Sequence, residues 1–412
     1  MRRRVFIMGI GLVSPHGTDI DEVFERLYTG KSAIRKVRSG TAEHGTDALL
    51  AQVSFDPGRT ISRTQSFTMD RVAQLAVVAA HDALSSASLL EDVTPPKPSP
   101  MGVYFGCGLG GSQALQDAYR VYWERHSRRL KPTTVPLIMA NAPASHISMQ
   151  YKMVGPTLTY SVACASSAIA IGEAFRAIRD GYIDSVLAGG AESMMNDGTI
   201  AAWEMLGVLA KEHPDGPEAS SRPFSADRTG FVLGEGAAAL VLECEESARR
   251  RGAQPLAEIV GYGSASDGHN LTQPFMDGQV RAMQFALSDA GLSGDEIGYI
   301  NAHATGTPAG DTVEIDAIKQ TFGAHAHALA VSATKSMHGH LVGAAGALEC
   351  AITALVLLKQ RIPPTAFLTQ QDPACDLDCV PCAGRNAGDL RYALSNSFAF
   401  GGSNAALIIK RI

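Results

Sequence analysis

Aromatic residues make up only 6% of the 412-residue chain and charged residues 18%. So few aromatic rings leave no stacking platform for single-stranded nucleic acid. Excess positive charge is missing as well: 35 Lys and Arg stand against 41 Asp and Glu, for a net charge of -6. An indiscriminate polyanion binder is basic overall, so no nucleic-acid partner is expected. Gly and Pro, at 41 and 20 residues, are not in excess, which excludes collagen-like and low-complexity chains. A long uninterrupted apolar run is also lacking. The longest stretch, 341–358, is broken by Glu349 and reads as a buried helix, so no membrane partner is expected. Arg2 to Arg4 before the apolar 5–13 imitates a signal peptide, but no small-residue cleavage site follows. A first strand over 4–11 is the better reading.

Cysteines are few and scattered: Cys107, Cys164, Cys244, Cys350, Cys375, Cys379 and Cys382. An odd, dispersed set in a long chain fits reduced thiols and a cytoplasmic location, not a disulfide framework. Cys375, Cys379 and Cys382 form a metal-like cluster without a fourth ligand at a familiar spacing, so no metal site is expected.

What the chain does have is a 45% apolar composition, enough for a sizeable core. At roughly 150 residues per domain it holds two or three domains, or one large α/β body. Short β-branched runs over 102–105, 157–162, 184–188, 238–242, 297–302, 329–332 and 406–409 predict strands. Helical patterns over 70–84, 166–179, 279–290, 311–321 and 341–360 lie between them. That alternation predicts α/β architecture with mostly buried strands. Two stretches, Pro95-Pro96-Lys97-Pro98 and 212–217, mark surface loops. Arg249 to Arg251, then Gly252, mark a seam between two halves, and each half has a strand that ends in a reactive residue and enters a helix.

Three such junctions carry chemistry. In Val162-Ala163-Cys164-Ala165-Ser166, Cys164 sits where a strand turns into a helix. Backbone N–H groups and the helix dipole there favour a thiolate and can donate to an oxyanion. A lone cysteine at such a place is more often a small buried packing residue. Two further junctions shift that balance. His303 emerges at the C-terminal end of the strand over 297–302, the usual edge for chemistry in α/β sheets. Thr305 and Thr307 follow it and suit a polar substrate arm, while Asp311 and Glu314 suit the first turn of the next helix. In Lys335-Ser336-Met337-His338-Gly339-His340, His340 stands at a helix start that disfavours imidazolium, so a neutral ring can donate to a developing anion. Glu349, inside an apolar helix, needs a cation, and Lys335 is the expected partner.

Two glycine loops are ambiguous. Gly106-Cys107-Gly108-Leu109-Gly110-Gly111 matches a dinucleotide pattern, but no acidic strand end follows at the expected spacing. Phe400-Gly401-Gly402 lies before the last strand and lets backbone N–H groups approach a ligand.

Together these segments resemble the β-ketoacyl-acyl-carrier-protein synthases of the condensing-enzyme family, of the synthase II type. The resemblance runs from Gly9-Ile10-Gly11-Leu12-Val13-Ser14-Pro15 to Asn396-Ser397-Phe398. It includes Ala188-Gly189-Gly190-Ala191-Glu192, Arg222-Pro223-Phe224, Asp227 and Gly230-Phe231-Val232-Leu233-Gly234-Glu235-Gly236. It implies a thiolase-like layered αβαβα fold of two similar halves, 1–251 and 252–412, acting as a homodimer. By that resemblance Cys164 is the nucleophile and His303 and His340 are catalytic, supported by Lys335 with Glu349. Phe400 gates the acyl pocket, and its N–H joins that of Cys164 in an oxyanion hole. Thr305 and Thr307 hold the phosphopantetheine arm. Arg128, Arg129 and Lys131 dock the acyl carrier protein.

The implied reaction is a decarboxylating Claisen condensation needing no cofactor. Cys164 takes an acyl group as a thioester. Loss of CO₂ from malonyl-carrier leaves an enolate held by His303 and His340, and the carbanion attacks the acyl-cysteine. The chain departs from the pattern at Arg63-Thr64-Gln65-Ser66-Phe67-Thr68, where basic residues are usual. It departs also at Gly207 (usually Arg), at His338 (usually Thr) and at Ala304-Thr305-Gly306. These departures leave fatty acid elongation and a polyketide, polyene or specialised-lipid pathway both open. A thiolase, which uses a second cysteine, and a non-catalytic chain-length partner, which lacks the nucleophile, are the remaining rivals.

Overall fold

A computed structural model of the chain describes residues 2–39, 46–90 and 97–412. Pro95 and Pro96 of the first expected loop lie outside the described residues. The 212–217 loop is a partly exposed turn bridged between His213 and Gly216.

Ten strands form one hydrogen-bonded sheet. They are β1 (Val5–Val13), β2 (Gly102–Gly106), β3 (Thr157–Tyr160), β4 (Ser185–Glu192), β5 (Gly236–Cys244), β6 (Ala257–Ser266), β7 (Ile297–Asn301), β8 (Ala330–Ser332), β9 (Tyr392–Phe398) and β10 (Ser403–Lys410). Their spatial order is β3-β2-β4-β5-β1, then β6-β10-β9-β7-β8. Counted within each half of the chain, both runs have the order 3-2-4-5-1 or its mirror reading. In both, strands 3, 2 and 4 are parallel and strand 5 is antiparallel to its neighbours. The fold is therefore one motif used twice, joined where Val5 to Ile7 pair with Ala257 to Ile259.

Five layers follow from which faces are apolar. Strand β5 sends Ala238, Leu240 and Leu242 into a central core and Ala237, Ala239 and Val241 into an outer one. A strand buried on both faces must be apolar at every position, which is why these segments read as continuous hydrophobic runs. Helix α1 (Arg71–Ser86) covers one outer face. Further along the chain lie α2 (Ser112–Trp123), α3 (Ser166–Arg179) and α4 (Asp197–Met205). Helices α5 (Met276–Ala290) and α6 (Pro308–Phe322) cover the other outer face. Between the two five-strand runs lie α3 and α7 (Ala345–Lys359). Segment Val342–Lys359 has the length and composition of a membrane span, but it is this buried central helix.

The two central helices begin alike. Ala163–Ala165 is a 3-10 turn opening α3, with Ala163 at φ 47. Val342–Ala344 is a 3-10 turn opening α7, with Val342 at φ 45. Non-glycine residues at positive φ are strained, and here packing holds them. The Ser167 hydroxyl accepts from the Ala347 N–H at 2.9 Å. A Cβ on Gly346 would lie 2.7 Å from that of Ala168. The close approach brings the two junctions together.

Candidate active site

Cys164, His303 and His340 converge from three loops, with their reactive atoms within 4.8 Å of one another. All three side chains are buried. The His340 Nε2 lies 3.0 Å from the Cys164 Sγ. The His303 and His340 rings meet edge to face at 5.4 Å. The backbone N–H of Phe400 donates toward the Cys164 sulfur. Lys335 and Glu349 form a fully buried ion pair behind the histidines, as the apolar setting of Glu349 required.

Burial decides the charge states. It pushes the Cys164 thiol up to about 12, against the smaller pull of Lys335 and the Phe400 N–H. A resting thiolate, expected from the helix terminus, is therefore corrected to a neutral thiol. His303 and His340 are held well below the usual histidine range, first by burial and then by Lys335. The resting pair is a thiol beside a neutral imidazole, which can take the proton as the sulfur attacks.

Backbone anchors fix each loop. The Glu314 carboxylate accepts from the N–H groups of His303 and Ala304, at 2.9 and 2.7 Å, and from the Asn396 amide at 3.0 Å. Asp311 accepts from Gly306 and Phe224 N–H groups, at 3.0 and 2.8 Å. These two acids, assigned by sequence to a helix first turn, are buried clamps on the His303 loop. His340 donates its N–H to the Val232 carbonyl at 2.7 Å and accepts from Gly234 at 2.9 Å.

Glu192 has a similar role. It accepts from Gly108 at 2.8 Å and Leu109 at 3.4 Å, and across the halves from Gly343 at 3.2 Å. The Gly108 and Leu109 amides belong to the loop that matched a dinucleotide pattern, and Glu192 occupies them. A Cβ on Gly106 would lie 2.3 Å from the Ser167 N, so that glycine serves helix packing. The glycine loop is a scaffold for α3, not a phosphate cradle.

A cavity of about 290 Å³ opens from Cys164. Thr305 and Thr307 line it, their hydroxyls 3.3 Å apart, and Thr307 also caps α6 by accepting from Gly310. Phe400 stacks on Trp203 at 6.2 Å, and Trp203 meets Phe231 edge-on at 5.5 Å. Phe231 in turn meets His340 at 5.2 Å. Trp203 and Phe231 were missed as site residues, since single aromatic residues read as core. Gly207, at φ 72 and open to solvent, ends α4 at the cavity mouth.

Arg128, Arg129 and Lys131 are exposed in the loop after α2, not on a helix end, and none forms an ion pair with a described residue. Arg120, in α2, lies near Glu124 and Asp197, at 3.5 and 3.7 Å. Cys375 and Cys379 are buried in an outer core, while Cys382 is exposed and donates to the Leu368 carbonyl.

Comparisons with known proteins agree with this geometry. Residues 2–248 match the model of the β-ketoacyl synthase N-terminal domain, and residues 256–369 that of the C-terminal domain. The chain is 38% identical to 3-oxoacyl-acyl-carrier-protein synthase 2 of Staphylococcus aureus (strain COL), over 99% of this chain and 98% of the relative. It is 40% identical to nodulation protein E of Rhizobium sp. (strain N33), over the whole of both. Among solved structures, the ishigamide ketosynthase/chain length factor superposes with a TM-score of 0.91 at 35% identity, covering all of both chains.

Proposed function

The chain belongs to the β-ketoacyl synthase family, and from that premise we propose how its residues carry out the reaction. It is an acyltransferase of the 3-oxoacyl-acyl-carrier-protein synthase type. It condenses an acyl-cysteine with malonyl-acyl-carrier protein and extends the acyl chain by two carbons in fatty acid biosynthesis. The observation that carries the assignment of roles is the 3.0 Å approach of His340 Nε2 to Cys164 Sγ inside a buried neutral site.

In the first stage Cys164 attacks the carrier thioester while His340 receives its proton. The N–H groups of Cys164 and Phe400 hold the oxyanion of the tetrahedral intermediate. The carrier thiol then departs with a proton. In the second stage Thr305 and Thr307 hold the arm of malonyl-carrier so that its thioester oxygen meets His303 and His340. Decarboxylation releases CO₂ and leaves an enolate on that oxygen. Two neutral imidazoles, each in the tautomer that presents an N–H to that oxygen, stabilise it in a buried site. The carbanion attacks the acyl-cysteine, and the sulfur leaves as a thiolate that takes up a proton from solvent. Burial keeps both rings neutral, and Lys335, held by Glu349, lowers their basicity further.

The remaining parts of this reading concern surroundings. The carrier docks on Arg128, Arg129 and Lys131, supported by their exposure and freedom from ion pairs with described residues. A homodimer is supported by β3, an edge strand whose outer side pairs with no described strand and whose Leu158 is exposed. The halves divide at Arg251 and Gly252, in the turn after the helix Glu245–Arg250 and before β6. A cytoplasmic location is supported by seven free cysteines. A second reading, a paralogue serving a polyketide or specialised lipid, is favoured by Gly207, which leaves the cavity mouth without a side chain.

The test is condensation by the protein purified alone. Malonyl-carrier and an acyl-carrier should give a two-carbon-longer 3-oxoacyl product and one CO₂ per turnover. Product from acetyl-coenzyme A in place of malonyl-carrier would indicate a thiolase, and no product would indicate a chain-length partner.

A further inference from the structure

The turn between the two catalytic groups of the second half contains a histidine that the reaction does not use. Thr334 precedes a short helix, Lys335–His338, and Gly339 ends it at φ 69 and ψ -171. His338 is completely buried. Its Nδ1 lies 2.8 Å from the Gly339 carbonyl oxygen and its Nε2 lies 3.0 Å from the Thr334 hydroxyl. A carbonyl only accepts, so Nδ1 carries the proton. In a neutral ring Nε2 then has a lone pair, and the Thr334 hydroxyl donates to it. Both ring nitrogens are satisfied in this one tautomer.

Protonation of His338 would cost twice. It would remove the acceptor for Thr334 and add a second buried cation beside Lys335 and near the buried His16. Burial and Lys335 accordingly hold the ring well below the usual histidine range. The bond to Gly339 matters because that residue has no Cβ to restrict it. Its φ and ψ lie in a region open almost only to glycine, so the peptide joining Gly339 to His340 is free to rotate unless it is pinned. His338 pins it from one side. The Val232 and Gly234 backbones pin His340 from the other, at 2.7 and 2.9 Å.

We propose that His338 is a positioning residue whose neutral, Nδ1-protonated ring clamps both ends of the 334–339 turn, fixing Lys335 and the His340 imidazole against Cys164. This rests on the condensing role given to His340. A misplacement of about 1 Å in a catalytic group costs about 10²-fold in rate, so the clamp should be visible in turnover and not in binding.

The experiment compares His338→Ala, His338→Asn and His338→Gln in the full-length enzyme, with rates normalised to the fraction of Cys164 that can be acylated. His338→Ala should lower the condensation kcat by about 10²-fold with little change in the KM for malonyl-carrier. Asn presents an N–H where Nδ1 stands and should recover more of kcat than Gln, which reaches only toward Thr334. Equal wild-type kcat per acylatable site in all three variants, with only lower thermal stability, would reduce His338 to a packing residue and overturn the proposal. Nitrogen-15 spectra of histidine-labelled wild-type protein need no substrate, so they decide the clamp even if condensation itself fails. They should show His338 protonated at Nδ1 and unprotonated at Nε2 at neutral pH. An Nε2–H tautomer or an imidazolium would overturn it.

Discussion

His340 Nε2 stands 3.0 Å from Cys164 Sγ, although the two residues come from opposite halves of a repeated fold. The thiol and the imidazole are both neutral at rest, since burial raises the one and lowers the other. In the proposed reaction this proximity gives His340 a part in both stages, whereas the His303 ring lies against His340 and Phe398.

That difference separates two variants. His303→Ala should still load an acyl group at close to the wild-type rate but lose decarboxylation of malonyl-carrier by about 10²-fold or more, the scale of one lost oxyanion donor. His340→Ala should slow both steps, because it also removes the proton acceptor for Cys164. Single-turnover loading and CO₂ release, measured separately, check this. Equal loading rates in both variants would remove His340 from the first stage.

Lys335 and Glu349 form a pair that is fully shielded from water. Lys335→Ala should destabilise the fold by about 3–5 kcal/mol, because it strands a buried carboxyl. The double variant Lys335→Met, Glu349→Leu should recover most of that stability without recovering condensation. Urea unfolding with parallel activity assays measures both. Recovered activity in the double variant would limit the pair to a structural part.

How much of this was legible in sequence depends on which residues stood out locally. Helix 166–179 was read with the bounds that α3 has, because Ile171, Phe175 and Ile178 mark one apolar face. Strand β6 was not read, since Gly261 and Gly263 interrupt its apolar run. Those glycines exist because α5 lies against the strand: a Cβ there would sit 2.4 Å from the Ala286 carbonyl and 2.0 Å from that of Ala282. Strand β9 escaped notice because Ser395, Asn396 and Ser397 look like a loop, yet all three are buried and Asn396 donates to Glu314. The reactive residues were visible because each sits at a strand-to-helix junction. Their anchors, Glu192, Glu314 and Asp311, were not, because only the fold brings backbone amides to them.

Glu192 offers a pH test of such an anchor. Burial raises its carboxyl to about 7 from 4.5, against the pull of the amides it binds. The folded protein therefore holds this proton where the unfolded chain has released it. The resulting stability is present below the unfolded value and is lost as pH rises through the folded one. The stability of the wild type relative to Glu192→Gln should shrink between pH 5 and pH 7, as followed by urea unfolding. A difference that stays level or grows over this range would mean that Glu192 is already ionised in the fold at pH 5.

Arg128 and Arg129 are exposed, and at the proposed docking site they would be rim charges, which affect association more than chemistry. Reversing both to Glu should raise the KM for carrier substrates several-fold and flatten its salt dependence. Turnover of a short pantetheine thioester, which does not touch the patch, should stay near wild type. Equal losses with both substrates would tie the loop to the active site instead.

The most direct test is of Cys164 itself. The protein should be incubated with an acyl-carrier donor, and its intact mass and peptide masses measured before and after malonyl-carrier is added. One acyl group per chain should appear on the peptide holding Cys164, and malonyl-carrier should discharge it as a product two carbons longer. Acylation at another residue, or equal acylation of Cys164→Ala protein, would contradict the account.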